Sequence, residues 1–217
     1  MDYDVSSKVE QRGVLAGMLL GKGRRRNHNF FIQHSSTQES YVLFKQQLLE
    51  QITRSPVKLQ RRRTKQGYPL LRLEPKLIPL TRVLVKKLYR GGQPTISPQF
   101  LNLLTLQGIA IWFLDEGSKS FKKTDGKIHA LEVYLNTYLP KSENEAIAAY
   151  FSQVWGIQWG LSKASRAYRL RMGTKESRRF FELIRPCVPE PMLYKINPSA
   201  NGTATTYGHQ TPPTVKE

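Results

Sequence analysis

Glu116 is the residue whose type and setting most suggest chemistry. It ends the apolar run IAIWFLDEG at 109–117 and stands directly before Gly117. If that run is a helix, Gly117 is a natural residue just past its end. The Glu116 carboxylate then sits in the last turn, against the negative end of the helix macrodipole. A bound metal ion would offset that cost. Asp115 would face elsewhere on the same helix. A second small-residue run, GVLAGMLLGKG at 13–23, ends on Lys22 instead. A lysine suits a helix C-terminus and repels a divalent cation, and it is suited to pair with Glu116 directly.

The other chemistry is cationic. Lys and Arg number 34 against 16 Asp and Glu, a formal net charge of +18. Such an excess destabilises a compact chain by self-repulsion unless a polyanion neutralises it. Nucleic acid is the first candidate and an anionic membrane the second. No apolar run approaches the roughly 20 residues that cross a bilayer. The opening residues MDYDVSSKVEQRG lack the basic-then-apolar pattern of a signal peptide. One cysteine, Cys187, excludes an intrachain disulfide and a thiolate zinc site. His28, His34, His129 and His209 are too scattered for a metal cluster. A reducing, intracellular location, cytoplasmic or organellar, is expected, with no membrane partner.

These groups need elements to position them, and the elements come in duplicate. Gly23 and Gly117 lie 94 residues apart, and the flanks of the two runs repeat the same order. After the first run come a basic turn, RRRNHN, and a strand, FFIQH at 30–34. The stretch 39–52 reads as a helix, with Tyr41, Phe44, Leu48 and Ile52 on one apolar face. Residues 57–63 and 68–74 read as a hairpin, and 80–90 as a further helix. In the second half the turn KKTDGK at 122–127 leads to a strand at 128–136. A helix at 142–155 follows, with Ser142 as N-cap and Glu145 completing a capping box. A hairpin of 157–163 with 166–172 and a helix at 174–184 complete the half. The expected division is 1–92, 93–196 and a polar tail, 197–217, expected to be mobile. Gly13, Gly17 and Gly21 recur every four residues, a stripe that lets another helix approach closely.

LAGMLLGKG at 15–23 and IAIWFLDEG at 109–117 resemble the two copies of the LAGLIDADG motif. The ending PEPMLYKINP at 189–198 resembles the C-terminal signature of the monomeric, two-motif members of the homing endonuclease family. The resemblance covers nearly all of the chain except the tail. It implies an α+β fold of two pseudo-symmetric αββαββα halves, with the motif helices side by side and a β-saddle over double-stranded DNA. It also implies two acids, each before the last glycine of a motif, holding Mg²⁺ between the scissile phosphates. Glu116 fits the second acid and metal ligand, but Lys22 occupies the first position, so the first motif is degenerate. Family members often carry a late basic residue near the metals. Lys195 fits it in the second half, whereas GGQPTIS at 91–97 holds none.

On the saddle, alternation puts Arg61 with Arg63, and Arg169 with Arg171, on common faces, where arginine pairs suit guanine edges. The further expected nucleic-acid contacts are Arg24, Arg25, Arg26, Gln33, Arg72, Lys122, Lys123 and Lys163. The function expected is sequence-specific duplex binding by a monomer. Mg²⁺-dependent cleavage is expected to be impaired or reduced to nicking. The residues leave open a non-cleaving intron maturase on structured RNA and a DNA-binding regulator.

Overall fold

In the computed structural model, residues 3–165 and 167–197 are described. The expected tail therefore lies outside the described residues except for Asn197, as do Arg166 and His209. The first half runs α1 (Lys8–Leu20), β1 (Gly23–Arg26), β2 (Asn29–Ser35), α2 (Glu39–Thr53), β3 (Leu59–Arg63), β4 (Pro69–Leu73) and α3 (Pro79–Leu88). Two short strands, β5 (Tyr89–Arg90) and β6 (Gln93–Pro94), pair with each other around Gly91 and Gly92, both at positive φ. The expected division after residue 92 falls in that turn. The short α4 (Pro98–Leu101) then leads to the second half. This comprises α5 (Leu106–Glu116), β7 (Gly117–Thr124), β8 (Lys127–Leu139), α6 (Lys141–Trp155), β9 (Gly160–Ala164), β10 (Ala167–Met172) and α7 (Thr174–Ile184).

Each half thus has the expected αββαββα order, and the two four-stranded sheets have matching strand orders, β1-β2-β4-β3 and β7-β8-β10-β9. Local chemistry explains several boundaries. The Ser7 hydroxyl accepts from the Glu10 N–H at 3.1 Å and starts α1. Asp125 and Gly126, both at positive φ, make the two-residue turn of the β7–β8 hairpin. The expected cap at Ser142 is not formed. The chain enters α6 from Pro140, and the Asn144 amide reaches back to the carbonyls of Leu139 and Pro140 at 3.0 and 3.1 Å. Residues 157–159 also precede β9 rather than opening it; Ile157 and Trp159 are buried in the core instead.

The sheets bury one face each. Phe30, Ile32 and His34 of β2 and Leu71 and Leu73 of β4 point into the core, as do Leu170 and Met172 of β10. Side chains between them point outward. The two halves meet through α1 and α5, which run parallel. A Cβ on Gly17 would collide with the Gly108 backbone, and one on Gly13 with Thr105, so the glycine stripe is what admits this approach. Lys22 and Glu116 are equivalent by the 94-residue offset, as are Gly21 and Asp115, and each residue touches its own equivalent. Self-equivalent contacts arise where an approximate twofold axis passes between two copies.

Candidate nucleic-acid interface and central site

The two motif helices end differently. Helix α5 continues to Glu116, but α1 stops at Leu20. The Lys22 N–H leaves the helical ladder and donates across the interface to Asp115 Oδ2 at 3.0 Å. At the surface of the same junction, Lys22 Nζ lies 3.0 Å from Glu116 Oε1. Burial pushes the Glu116 carboxyl above its ordinary range, and Lys22 pulls the other way. Lys195 is partly buried beside it and donates to the carbonyls of Leu114 at 2.6 Å and Gly117 at 3.1 Å, capping α5. Burial lowers the Lys195 amine to about 8, with Asp115 and Glu116 opposing the shift. In the first half, residues 91–97 indeed supply no cation. Arg24 caps α1 instead, donating to the carbonyls of Gly21 at 3.2 Å and Gly23 at 2.9 Å.

Behind this pair lies a buried cluster that sequence reasoning missed. Lys45 Nζ donates to both Asp115 oxygens, at 2.5 and 2.7 Å, with both side chains fully buried. Lys45 Nζ also lies 3.1 Å from His34 Nε2, and His34 Nδ1 lies 2.8 Å from Gln38 Oε1. A protonated Lys45 makes His34 a neutral acceptor at Nε2, so its proton is on Nδ1, facing Gln38. Burial, then Lys45, lowers His34 to about 3. Burial alone would raise Asp115, but Lys45, His34 and the Lys22 N–H hold it below the usual carboxylate range. A Cβ on Gly21 would overlap the Asp115 carboxylate, so Gly21 leaves the space it occupies. One signal was legible. Lys45 falls on the apolar face of α2, between Tyr41 and Leu48, where a charge needs a partner.

These residues do not fit a divalent ion shared between the motifs. Glu116 is bonded to an ammonium, and Asp115 is turned away and saturated by Lys45 and the Lys22 N–H. Among the described residues, no three His, Cys, Asp or Glu side chains gather where they could hold a metal.

Register sorts the basic residues. Residues paired across strands share a face. Arg61 and Arg63 stand opposite Leu71 and Pro69, and Leu71 points into the core. They share a face as expected, but it is the helix side, where Arg61 binds Glu39 at 2.5 Å. The saddle side of β3 carries Gln60 and Arg62, opposite Arg72 and Leu70. Lys163, paired with Tyr168 next to inward Leu170, is likewise on the helix side. Arg25 pairs with inward Phe30 and lies over the Tyr89 ring at 6.0 Å.

Arg24, Arg26, Gln33 and Arg72 are on the outward face of the first sheet, and Lys122, Arg169 and Arg171 on that of the second. Lys123 follows a register shift near the β7–β8 turn. Carboxylates engage several of these. Glu74 binds Arg26 at 2.7 Å and Arg72 at 3.0 Å. Glu132 binds Lys122 at 3.1 Å and also Arg171. The Tyr134 hydroxyl, followed by these cations, brings Glu132 down to about 2. No described helix is long and apolar enough to cross a membrane.

This architecture is shared with solved proteins. The homing endonuclease I-WcaI bound to its DNA recognition sequence superposes with a TM-score of 0.73 at 21% identity, over 88% of this chain and 87% of that one. The meganuclease I-SmaMI bound to uncleavable DNA gives 0.54 at 12%, over 87% and 88%. I-DmoI in complex with DNA and Ca gives 0.51 at 15%, over 83% and 94%. In sequence, a protein described as RecA from Mycolicibacterium flavescens is 26% identical over 212 residues, 90% of this chain and 48% of that protein. The chain thus spans about half the length of that relative. A family profile described as the LAGLIDADG DNA endonuclease family matches residues 12–180. With that match over most of its length, with two sheets of matching strand order and with paired motif helices, the chain belongs to the LAGLIDADG DNA endonuclease family.

Proposed function

We propose that this chain is a monomeric, sequence-specific duplex-DNA-binding protein whose double-strand cleavage is impaired. The observation that carries the reading is the Lys22–Glu116 ion pair at 3.0 Å, which puts an ammonium where the motif pattern calls for a second acid. Cutting two strands needs negative charge neutralised at both scissile phosphates, and the family arrangement uses two acids around Mg²⁺ for this. Here one acid is absent and the other is already neutralised. The outward face of both sheets, rich in Arg and Lys, supports DNA as the partner, as does the net charge of +18.

The test is a supercoiled plasmid carrying a site selected from a random duplex library. With Mg²⁺, the unmodified chain should leave the plasmid supercoiled or convert it slowly to open circles that Glu116→Gln abolishes. Rapid conversion to linear DNA would overturn the impaired-cleavage reading. Competition by structured RNA at the strength of the selected duplex would overturn the choice of DNA.

A further inference from the structure

The two sheets can be matched through their hydrogen-bonded registers as far as Leu170; beyond it the β8–β10 register shifts at Arg169, where Arg72 pairs regularly with Gln33. Ile32 stands opposite Gly23 on one side and Leu73 on the other; Leu135 stands opposite Gly117 and Leu170 in the same way. That match makes Phe31 the equivalent of Tyr134, and Arg72 the equivalent of Arg169. The guanidinium carbon of Arg72 lies 3.6 Å from the centre of the Phe31 ring, and that of Arg169 lies 3.8 Å from the centre of the Tyr134 ring. In both arginines Nε is buried with no hydrogen-bond acceptor. Two neighbouring outward positions differ between the halves. The position of Glu74 is held by Arg171 in the second half, and that of Asn29 by Glu132. Opposite charges at one equivalent site and an arginine–aromatic stack kept at the next, on Phe31 in one half and Tyr134 in the other, set this pair apart from the general basic character of the saddle.

A stacked guanidinium has its plane fixed before any ligand arrives. Rotamer freedom is lost in folding rather than in binding, and the donor fork is presented in one orientation. With Nε shielded, the terminal Nη groups are the remaining donors. Glu74 takes one Nη2 hydrogen bond from Arg72, at 3.0 Å, and also restricts that fork. Two parallel N–H donors in a plane match the O6 and N7 acceptors that guanine alone presents in the major groove. Arg26 and Arg171 on the same outward faces also engage carboxylates, Arg26 sharing Glu74 with Arg72, but only Arg72 and Arg169 have their guanidinium plane fixed on a ring.

We propose that Arg72 and Arg169 are the paired specificity residues of the saddle, each reading one guanine. The axis between α1 and α5 exchanges the halves, and it therefore exchanges the strands of a duplex lying across them. The two guanines then fall on opposite strands at equal distances from the centre of the site. This inference rests on the proposed duplex-reading function and adds the two contact positions and their base identity.

The experiment is selection from a random duplex library with the unmodified chain, Arg72→Lys, Arg169→Lys and Phe31→Leu. Lysine keeps the charge but loses the planar fork, so it separates base reading from phosphate contact. The unmodified chain should enrich a motif containing the symmetric guanine pair. Arg72→Lys should lose the preference at one guanine by about tenfold or more, and Arg169→Lys at the other. Affinity for unselected duplex should fall less than that preference does. Phe31→Leu should weaken the position that depends on Arg72 and leave its partner alone. Thermal unfolding of each variant shows whether it is folded, and the two halves report independently. An enriched motif that keeps both guanines with the lysine variants would overturn this inference alone. The absence of any enriched motif with the unmodified chain would overturn duplex reading, and this inference with it.

Discussion

The ends of the two motif helices occupy equivalent places and do opposite things. In the second half Asp115 and Glu116 carry two carboxylates, one turned inward and one toward the saddle. In the first half Gly21 and Lys22 stand at the same positions. Gly21 contributes only space, which the Asp115 carboxylate fills, and Lys22 contributes a backbone donor to Asp115 and an ammonium to Glu116. Across this junction opposite charges satisfy each other, Lys45 with Asp115 inside and Lys22 with Glu116 outside. The inner pair holds the halves together and the outer pair leaves no free carboxylate.

The comparison breaks most severely if the inner pair is cut. Asp115→Ala leaves Lys45 buried without a counter-charge and should cost about 3–5 kcal/mol in urea unfolding. The double change Lys45→Met with Asp115→Leu should recover much of that loss, because the desolvation of both charges goes with them. A loss below about 1 kcal/mol for Asp115→Ala would mean that the cluster is not what joins the halves.

Acid should attack the same place. His34 is held neutral, with its proton affinity lowered from the ordinary 6.5 to about 3. Between those values the unfolded chain binds a proton that the folded chain refuses, so stability falls as pH falls through the window. The slope from this group is at most about 1.4 kcal/mol per pH unit. His34→Gln should flatten the profile between pH 6 and 3. An unchanged slope would assign the acid sensitivity to other groups.

Lys22→Asp sharpens the comparison in the other direction by making the outer positions alike. Calcium affinity measured by titration calorimetry should rise about tenfold or more, since a second oxygen ligand replaces a repelling charge. DNA binding by the unmodified chain should be indifferent to EDTA. If the unmodified chain already binds calcium as tightly as the variant, Lys22 is not blocking the site.

The smallest effect concerns the faces of one strand. Arg62→Ala, on the saddle side, should lower the slope of log affinity against log salt by about 1, as expected for one lost phosphate contact. Arg61→Ala, on the helix side beside Glu39, should leave the slope unchanged. The reverse result would put the DNA-facing side of β3 on the wrong face.

Much of this molecule could be read before folding it. Element order followed from apolar periodicity and turn residues, because helix and strand periods are local properties. The duplication was visible because both halves repeat them. The pairing of Lys22 with Glu116 was also foreseeable, since two helix ends held together by a glycine stripe bring their last residues together. Parity in β3 was not. The sequence reading set Arg61 and Arg63 on the saddle, and only pairing with β4, where Leu71 and Leu73 bury themselves, turned them away from it.

The Lys45–Asp115–His34 cluster joins residues from β2, α2 and α5. Only Lys45 stood out in the sequence, as a cation on an apolar helix face; its partners Asp115 and His34 are brought to it by the tertiary fold. The stacked arginines depend on diagonal neighbours across two strands, Phe31 with Arg72 and Tyr134 with Arg169. Sequence alone determined which elements form and how much charge they carry, because those depend on neighbours along the chain. Tertiary structure alone decided which of those charges face DNA, which face each other and which are sealed in the interface. Register, burial and desolvation are set by residues far away in sequence.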